Sequence, residues 1–315
     1  MKRFIAILLI GLAAGQAMAA TSSQVLDIYA QLAGRTVLRP FDLRKLPASL
    51  TMPDFADTNR AINFIEDQLK SNHLAIVRDG RKFVWILPAD WRNSQMADQL
   101  DRLASLTADD SISSEYSYNF QGVDINEALN IYAAIRDRTI LRPMYFSGPF
   151  NLKTVSPLTR SEAIHAFDVL LALNGVATFD DGDKFVQMLP LDLISQVQTN
   201  APKMELGAPL IDPAQIQKSL MDTNAAARNQ RPGMSDATPP TTAYRLVEYY
   251  AELNNQKAQP PEQTFPASIL FKTVTPLSKP ELLYAITTTL ALNNLMVVPV
   301  DHDTITLGFR PLSAK

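Results

Sequence analysis

Cysteine is absent from all 315 residues. That excludes disulfides, thiol catalysis, cysteine-based metal sites and a lipid-modified N-terminal cysteine. Glycine is scarce, at 11 residues, and neither a glycine-rich phosphate loop nor a G-x-S-x-G elbow occurs. The only histidines are His73, His165 and His302. None has a second metal-ligand type at the next helical turn in a convincing pattern; His165–Asp168 comes closest and reads as a surface pair. Asp180-Asp181-Gly182-Asp183 has some acids of a calcium loop without its terminal glutamate or spacing, so it reads as a hairpin turn. No metal or cofactor, and no catalytic centre, is expected. Charge is balanced, with 29 basic and 32 acidic residues and a net charge of −3, and no basic stripe stands out. Nucleic acid is therefore not an expected partner. At 46% hydrophobic and 19% charged, the chain is globular in composition.

Residues 1–20 read as a secretory leader. Lys2 and Arg3 form the positive end, Phe4 to Leu12 is a short apolar run, and Ala17-Met18-Ala19 is a small-x-small cleavage site. The run is too short to span a bilayer comfortably, and no later stretch is long and apolar enough to do so. A cysteine-free exported chain fits the bacterial periplasm, although export to the medium leaves the same signature.

The rest of the sequence repeats itself. QVLDIYAQLAGRTVLRP at 24–40 returns as EALNIYAAIRDRTILRP at 127–143. FNLKTVSPLTRSEAIHAFDVLLALNG at 150–175 returns as ILFKTVTPLSKPELLYAITTTLALNN at 269–294. Repetition multiplies surface instead of assembling one reaction centre, so it points to a scaffold or binding array.

The second stretch, 115–190, shows the unit most clearly. Tyr116, Tyr118 and Phe120 alternate with polar Ser117 and Asn119, a strand pattern. Asp124, with Glu127 three residues on, starts a helix carrying Leu129, Tyr132 and Ile135. Short strands follow at Arg138–Arg142 and Phe150–Val155. Thr159 with Glu162 starts a second helix, Asn174-Gly175 stops it, and a hairpin turns at Asp181-Gly182. The order is strand–helix–strand–strand–helix–strand–strand.

The expected fold class is α+β: three small βαββαββ modules at 21–90, 115–190 and 241–310. The first lacks an opening strand in this reading, because the leader ends just before its helix. Residues 91–114, with Leu100, Leu103 and Leu106, form a connecting helix. Residues 199–240, rich in proline and small polar residues, read as a flexible linker with a weak helix at Pro213–Met221, so two modules stand in tandem and the third is tethered.

Set beside known families, FQGVDINEALNIYAAIRDRTILRP, PLTRSEAIHAFDVLLALNG and GDKFVQMLP resemble the first periplasmic N-domain of secretins, the outer-membrane channels of type II secretion and related systems. The same small fold occurs in the signalling domain of TonB-dependent receptors. The resemblance covers the second stretch end to end, the first without its first strand, and the third more loosely. The long region of alternating strands that forms a secretin channel does not follow, so channel formation is not carried over. The resemblance implies a non-enzymatic periplasmic scaffold, an accessory or assembly component of a type II secretion or type IV pilus-like system. It would bind a secretin ring, an inner-membrane clamp protein or another copy of itself, and associate with the outer membrane through a partner. A signalling module like that of the TonB-dependent receptors, and an exported hydrolase with an unrecognised site, are the alternatives.

Two surfaces are candidates for partner binding. One is the strand of Tyr116, Tyr118 and Phe120, offered at a sheet edge. The other comes from the last strand of each module. Val84/Ile86, Val186/Met188 and Ile305/Leu307 are apolar in all three and face the core. The opposite face grades from Phe83, Trp85 and Leu87, through Phe185, Gln187 and Leu189, to Thr304 and Thr306. The first of these faces is expected to pack against the second module or a partner, or to be covered by the 91–106 segment. Arg39-Pro40 and Arg142-Pro143 recur as strand ends with a solvated arginine, or with one that pairs with a partner's carboxylate.

Overall fold

The computed structural model describes residues 18–41, 49–52, 55, 57–94, 96–104, 115–143, 148–196, 202, 208–221, 241–263, 265 and 268–310. The leader up to residue 17, Leu106 and linker residues 222–240 lie outside them.

Side-chain caps set the first helix of each stretch. Thr21, Asp124 and Thr242 each accept a hydrogen bond from a backbone N–H of the opening turn of α1 (Ser22–Ala33), α4 (Ile125–Arg136) and α7 (Ala243–Asn254). Asp124 does so through Asn126 N. The stops match as well. Gly34, Asp137 and Asn255 follow the three helices with φ of 64°, 55° and 55°, the left-handed region where glycine, asparagine and aspartate are tolerated. The second helices are α2 (Thr58–Ser71), α5 (Arg160–Leu173) and α8 (Lys279–Leu292). They end on Asn72, Asn174 and Asn293.

Strands fill the order between helices. β2 (Thr36–Leu38) lies parallel to β5 (Phe83–Pro88), which pairs antiparallel with β4 (Leu74–Asp79). The sheet order β2–β5–β4 recurs as β7–β10–β9, from Thr139–Leu141, Phe185–Pro190 and Val176–Asp181. It recurs again as β13–β17–β16, from Lys257–Ala258, Thr304–Phe309 and Leu295–Pro299. Two-stranded pairs accompany them: β1 (Met18–Thr21) with β3 (Ser49–Met52), β6 (Asn119–Asp124) with β8 (Pro149–Lys153), and β12 (Thr241–Thr242) with β14 (Ser268–Ile269). The structure is thus mixed α+β. An opening strand missing from the sequence reading of the first stretch exists as β1, over residues assigned to the cleavage region. Leader composition and strand composition overlap at Met18–Thr21, which hides it.

The described residues form two compact units. One comprises residues up to Val123 with Pro149–Gly175, the other Asp124–Gly148 with residues from Val176 on. The boundary therefore runs through 115–190, which the sequence reads as one module. In the first unit, Val25, Leu26 and Tyr29 of α1 and Ile65 and Leu69 of α2 pack on Leu74, Val84 and Ile86. Val84 and Ile86 face this core, as period-two alternation requires.

In the second unit one apolar cluster joins Leu141 and Phe185 to Ile269, Phe271, Leu282, Ile286 and Leu307. The expected tethering of the third stretch is corrected here, because its helices share a core with the β7–β10–β9 sheet. Part of the supposed linker is ordered too. β11 (Leu210–Ile211) pairs with β15 (Leu277–Ser278), and α6 (Pro213–Met221) buries Ile216 and Leu220 in the same cluster. Two apolar residues on one helical face suffice to dock it, which overall composition does not register. In the 91–114 segment, a short turn at Trp91–Asn93 precedes α3 (Met96–Ala104), whose Leu100 and Leu103 are buried.

Candidate interaction surfaces

The aromatic strand faces inward. Tyr116, Tyr118 and Phe120 are half-buried. Tyr118 meets Phe167 edge-on at 5.7 Å, and Phe120 lies 6.1 Å from Phe150 and 6.4 Å from Phe167. Such ring pairs fill core space in specific geometries. These side chains serve the first unit's own packing. Burial raises the Tyr118 phenol well above its usual pKa, with a smaller contribution from Tyr116, and its oxygen has no hydrogen-bond partner.

The backbone of the same strand is available. Thr154 N donates to Tyr118 O, Gly122 N donates to Asn151 Oδ1, and Tyr116 bridges Leu158, so the even-numbered residues turn toward β8. Ser117, Asn119 and Gln121 are exposed and turn the other way. Among the described residues no strand pairs with that edge. The edge candidate therefore rests on backbone groups rather than on the three aromatic side chains.

Phe83, Trp85 and Leu87 are buried. The chain's own second stretch covers this face. Phe83 packs on the His165 ring at 5.5 Å, and Trp85 Nε1 donates to Asp79 Oδ2 at 2.9 Å. His165 Nε2 meets the same oxygen at 2.5 Å. Asp79, not the sequence neighbour Asp168, is thus the partner found for His165; Asp168 is itself buried. Lys82 Nζ donates to Pro157 O at 2.8 Å and to Glu162 Oε2 at 2.7 Å. Val155 N donates to Thr36 Oγ1 at 3.2 Å.

The second unit holds the same set of contacts at matching positions. Lys184 Nζ donates to Pro276 O and to Glu281 Oε2, both at 2.9 Å. Val274 N donates to Thr139 Oγ1 at 3.2 Å. Phe185 packs on Tyr284 at 5.6 Å, and Tyr284 Oη and Gln187 Nε2 both donate to Asp181 Oδ2. Asp79 and Asp181 do the same work: each is a carboxylate that gathers two groups, one from its own hairpin and one from the docked helix.

The acidic partner has a second duty. Glu162 Oε2 also accepts from Thr159 N, and Glu281 Oε2 from Ser278 N, both at 2.7 Å. Each completes the capping box of α5 or α8. A capping-box glutamate is already anchored, so the lysine meets it with little further ordering cost. Burial tends to raise the pKa of Glu281, but hydrogen bonds from Lys184 and Ser278 outweigh it and hold the carboxyl below its ordinary value.

The arginines at the strand ends are less solvated than expected. Burial lowers the pKa of Arg39, with Asp27 opposing, and pushes Arg142 down to about 10, with Asp124 opposing. Asp180 of the acidic turn binds Arg136 and Arg138, while Gly182 supplies the turn with φ of 65°. No group of three or more potential metal ligands occurs among the described residues. No described helix is long and apolar enough to cross a membrane. The lysine–glutamate contacts escaped the sequence reading because partners lie far apart in the chain. Glu162 and Glu281 were readable as caps, and the recurrence of Lys-Phe after a hairpin turn was the available signal.

No family model fits the chain, and no curated protein matches it.

Three outcomes are expected. Trp85→Ser removes a buried indole and leaves Asp79 with one donor fewer, costing about 3–5 kcal/mol in denaturant unfolding of the full chain. The depressed carboxyl of Glu281 adds stability above the ordinary carboxylate pKa, and that contribution is lost as pH falls through the lowered value. Glu281→Gln therefore costs about 3 kcal/mol at neutral pH, with a gap to wild type that narrows as pH drops below about 4. Glu162→Gln costs about 1 kcal/mol, because Lys82 and Glu162 are 32% and 29% exposed while Lys184 and Glu281 are 16% and 3% exposed.

Proposed function

We propose that this chain is a non-enzymatic periplasmic scaffold built from three secretin N-domain-like modules, serving as an accessory or assembly component of a type II secretion or type IV pilus-like envelope machine. The observation that carries the reading is the copied junction. One module's sheet end holds the next module's second helix by the same lysine, threonine and aspartate contacts in each unit. Copying a docking geometry suits a protein whose work is to present modules in fixed order, since each added module contributes surface.

Export of this scaffold across the inner membrane is supported by the leader-like composition of residues 1–20, and the outward edge of β6 is where a partner strand adds. The partner is a strand or loop of a secretin ring or of an inner-membrane clamp protein. Self-association is a further route to assembly.

The test is co-purification of the tagged full chain from cross-linked envelope fractions, beside the variant Gln121→Pro. Proline removes one outward-facing N–H from the edge. Recovery of a secretion or pilus component, reduced at least about tenfold in the variant without a shift in thermal unfolding, is the expected result. Recovery of no envelope component overturns the proposed role, and equal recovery with both chains overturns the edge as its site.

A further inference from the structure

The two junctions leave one face of each kind without a counterpart among the described residues: the end of the β13–β17–β16 sheet, and the first turn of α2. Asp303 precedes β17 as Lys82 precedes β5 and Lys184 precedes β10, and the strand registers match, with Lys257 opposite Thr304 as Thr36 is opposite Phe83. Arg60 is the third residue of α2 after its cap Asp57, the place that Glu162 and Glu281 hold in α5 and α8. The junction's charges are thus inverted at both ends, and in the complementary sense.

Both residues are open to solvent. Asp303 is 79% exposed and touches exposed His302; Arg60 is 75% exposed and touches exposed Asp57. Beside Asp303, Val300, whose N–H donates to Thr304 O, is also exposed. α2 differs from α5 in keeping with this. It buries a single stripe of Ala61, Ile65 and Leu69, whereas α5 is buried on nearly all sides.

We propose that copies of this chain associate head to tail, the β17 end of one copy receiving α2 of the next, with an Asp303–Arg60 ion pair where the internal junctions have lysine and glutamate. The inversion carries specificity. Lysine against Arg60, or Asp303 against Glu162 or Glu281, is repulsive, so an end matches only another copy's end and the internal order of modules is protected. The end faces offer little buried apolar surface, so the contact is reversible and salt-sensitive, unlike the internal junctions. A head-to-tail contact of this kind joins two different patches, so it builds rings or open series of oligomers as concentration rises.

The inference rests on the register of the repeats and not on the envelope role, so the two fail separately. The experiment is sedimentation velocity of the full chain over a concentration series at low and high salt. The expected result is concentration-dependent association that salt weakens. Arg60→Glu alone and Asp303→Lys alone each weaken it at least about tenfold, and the two together restore it to within about threefold of wild type. A chain that stays monomeric throughout at low salt, or single and double variants that all match wild type, overturns the proposal.

Discussion

A lysine that reaches across to the first turn of a helix is the contact on which this structure turns. Lys82 and Lys184 each bind a backbone carbonyl and a capping-box glutamate. The glutamate is already fixed by its own helix, and a helix N-terminus favours its negative charge. The lysine therefore meets a preorganised acceptor, and it fixes both where the helix docks and how it is turned. Phe83 and Phe185 supply the apolar contact beside it, against His165 and Tyr284.

That contact explains why the compact units do not follow the repeats. A single repeat of this size buries little surface by itself. Its sheet has an inner face covered by its own helices, and an outer face that needs a neighbour. In the first unit the outer face carries Phe83, Trp85 and Leu87, and in the second it carries Phe185, Gln187 and Leu189. Phe83 and Phe185 on these faces pack against His165 and Tyr284, which come much later in the chain. Polar groups there, above all Asp79 and Asp181, are paired, so burial costs little and orientation gains.

Much of the local structure was legible in the sequence. Alternation placed Val84 and Ile86 in the core, capping residues placed the helix starts at Asp124 and Thr159, and Asp-Gly marked the hairpins. These signals act within a few residues of each other. The weak helix at Pro213–Met221 was also readable, but its docking through Ile216 and Leu220 was not. What escaped the reading was long-range. His165 reads against Asp168 in the sequence, one helical turn away, because sequence spacing shows only neighbours; its partner Asp79 lies in another repeat. Tyr116, Tyr118 and Phe120 read as a docking surface in the sequence, whereas Phe167 meets Tyr118 and, with Phe150, holds Phe120 inward. Strand β1 was hidden by a leader-like composition.

Substitution between repeats separates chemistry from identity. Histidine becomes tyrosine and tryptophan becomes glutamine around a retained carboxylate, and the donors survive although the side chains differ. Retention of hydrogen-bond roles under such exchange is the mark of a docking contact. The most direct measurement is a pair of double-mutant cycles, Lys82→Met with Glu162→Gln and Lys184→Met with Glu281→Gln, read by denaturant unfolding of the full chain. Docking through this contact requires a favourable coupling in both cycles, larger in the buried pair, at about 1–3 kcal/mol there. Single-mutant effects that add to within about 0.3 kcal/mol in both cycles would contradict it.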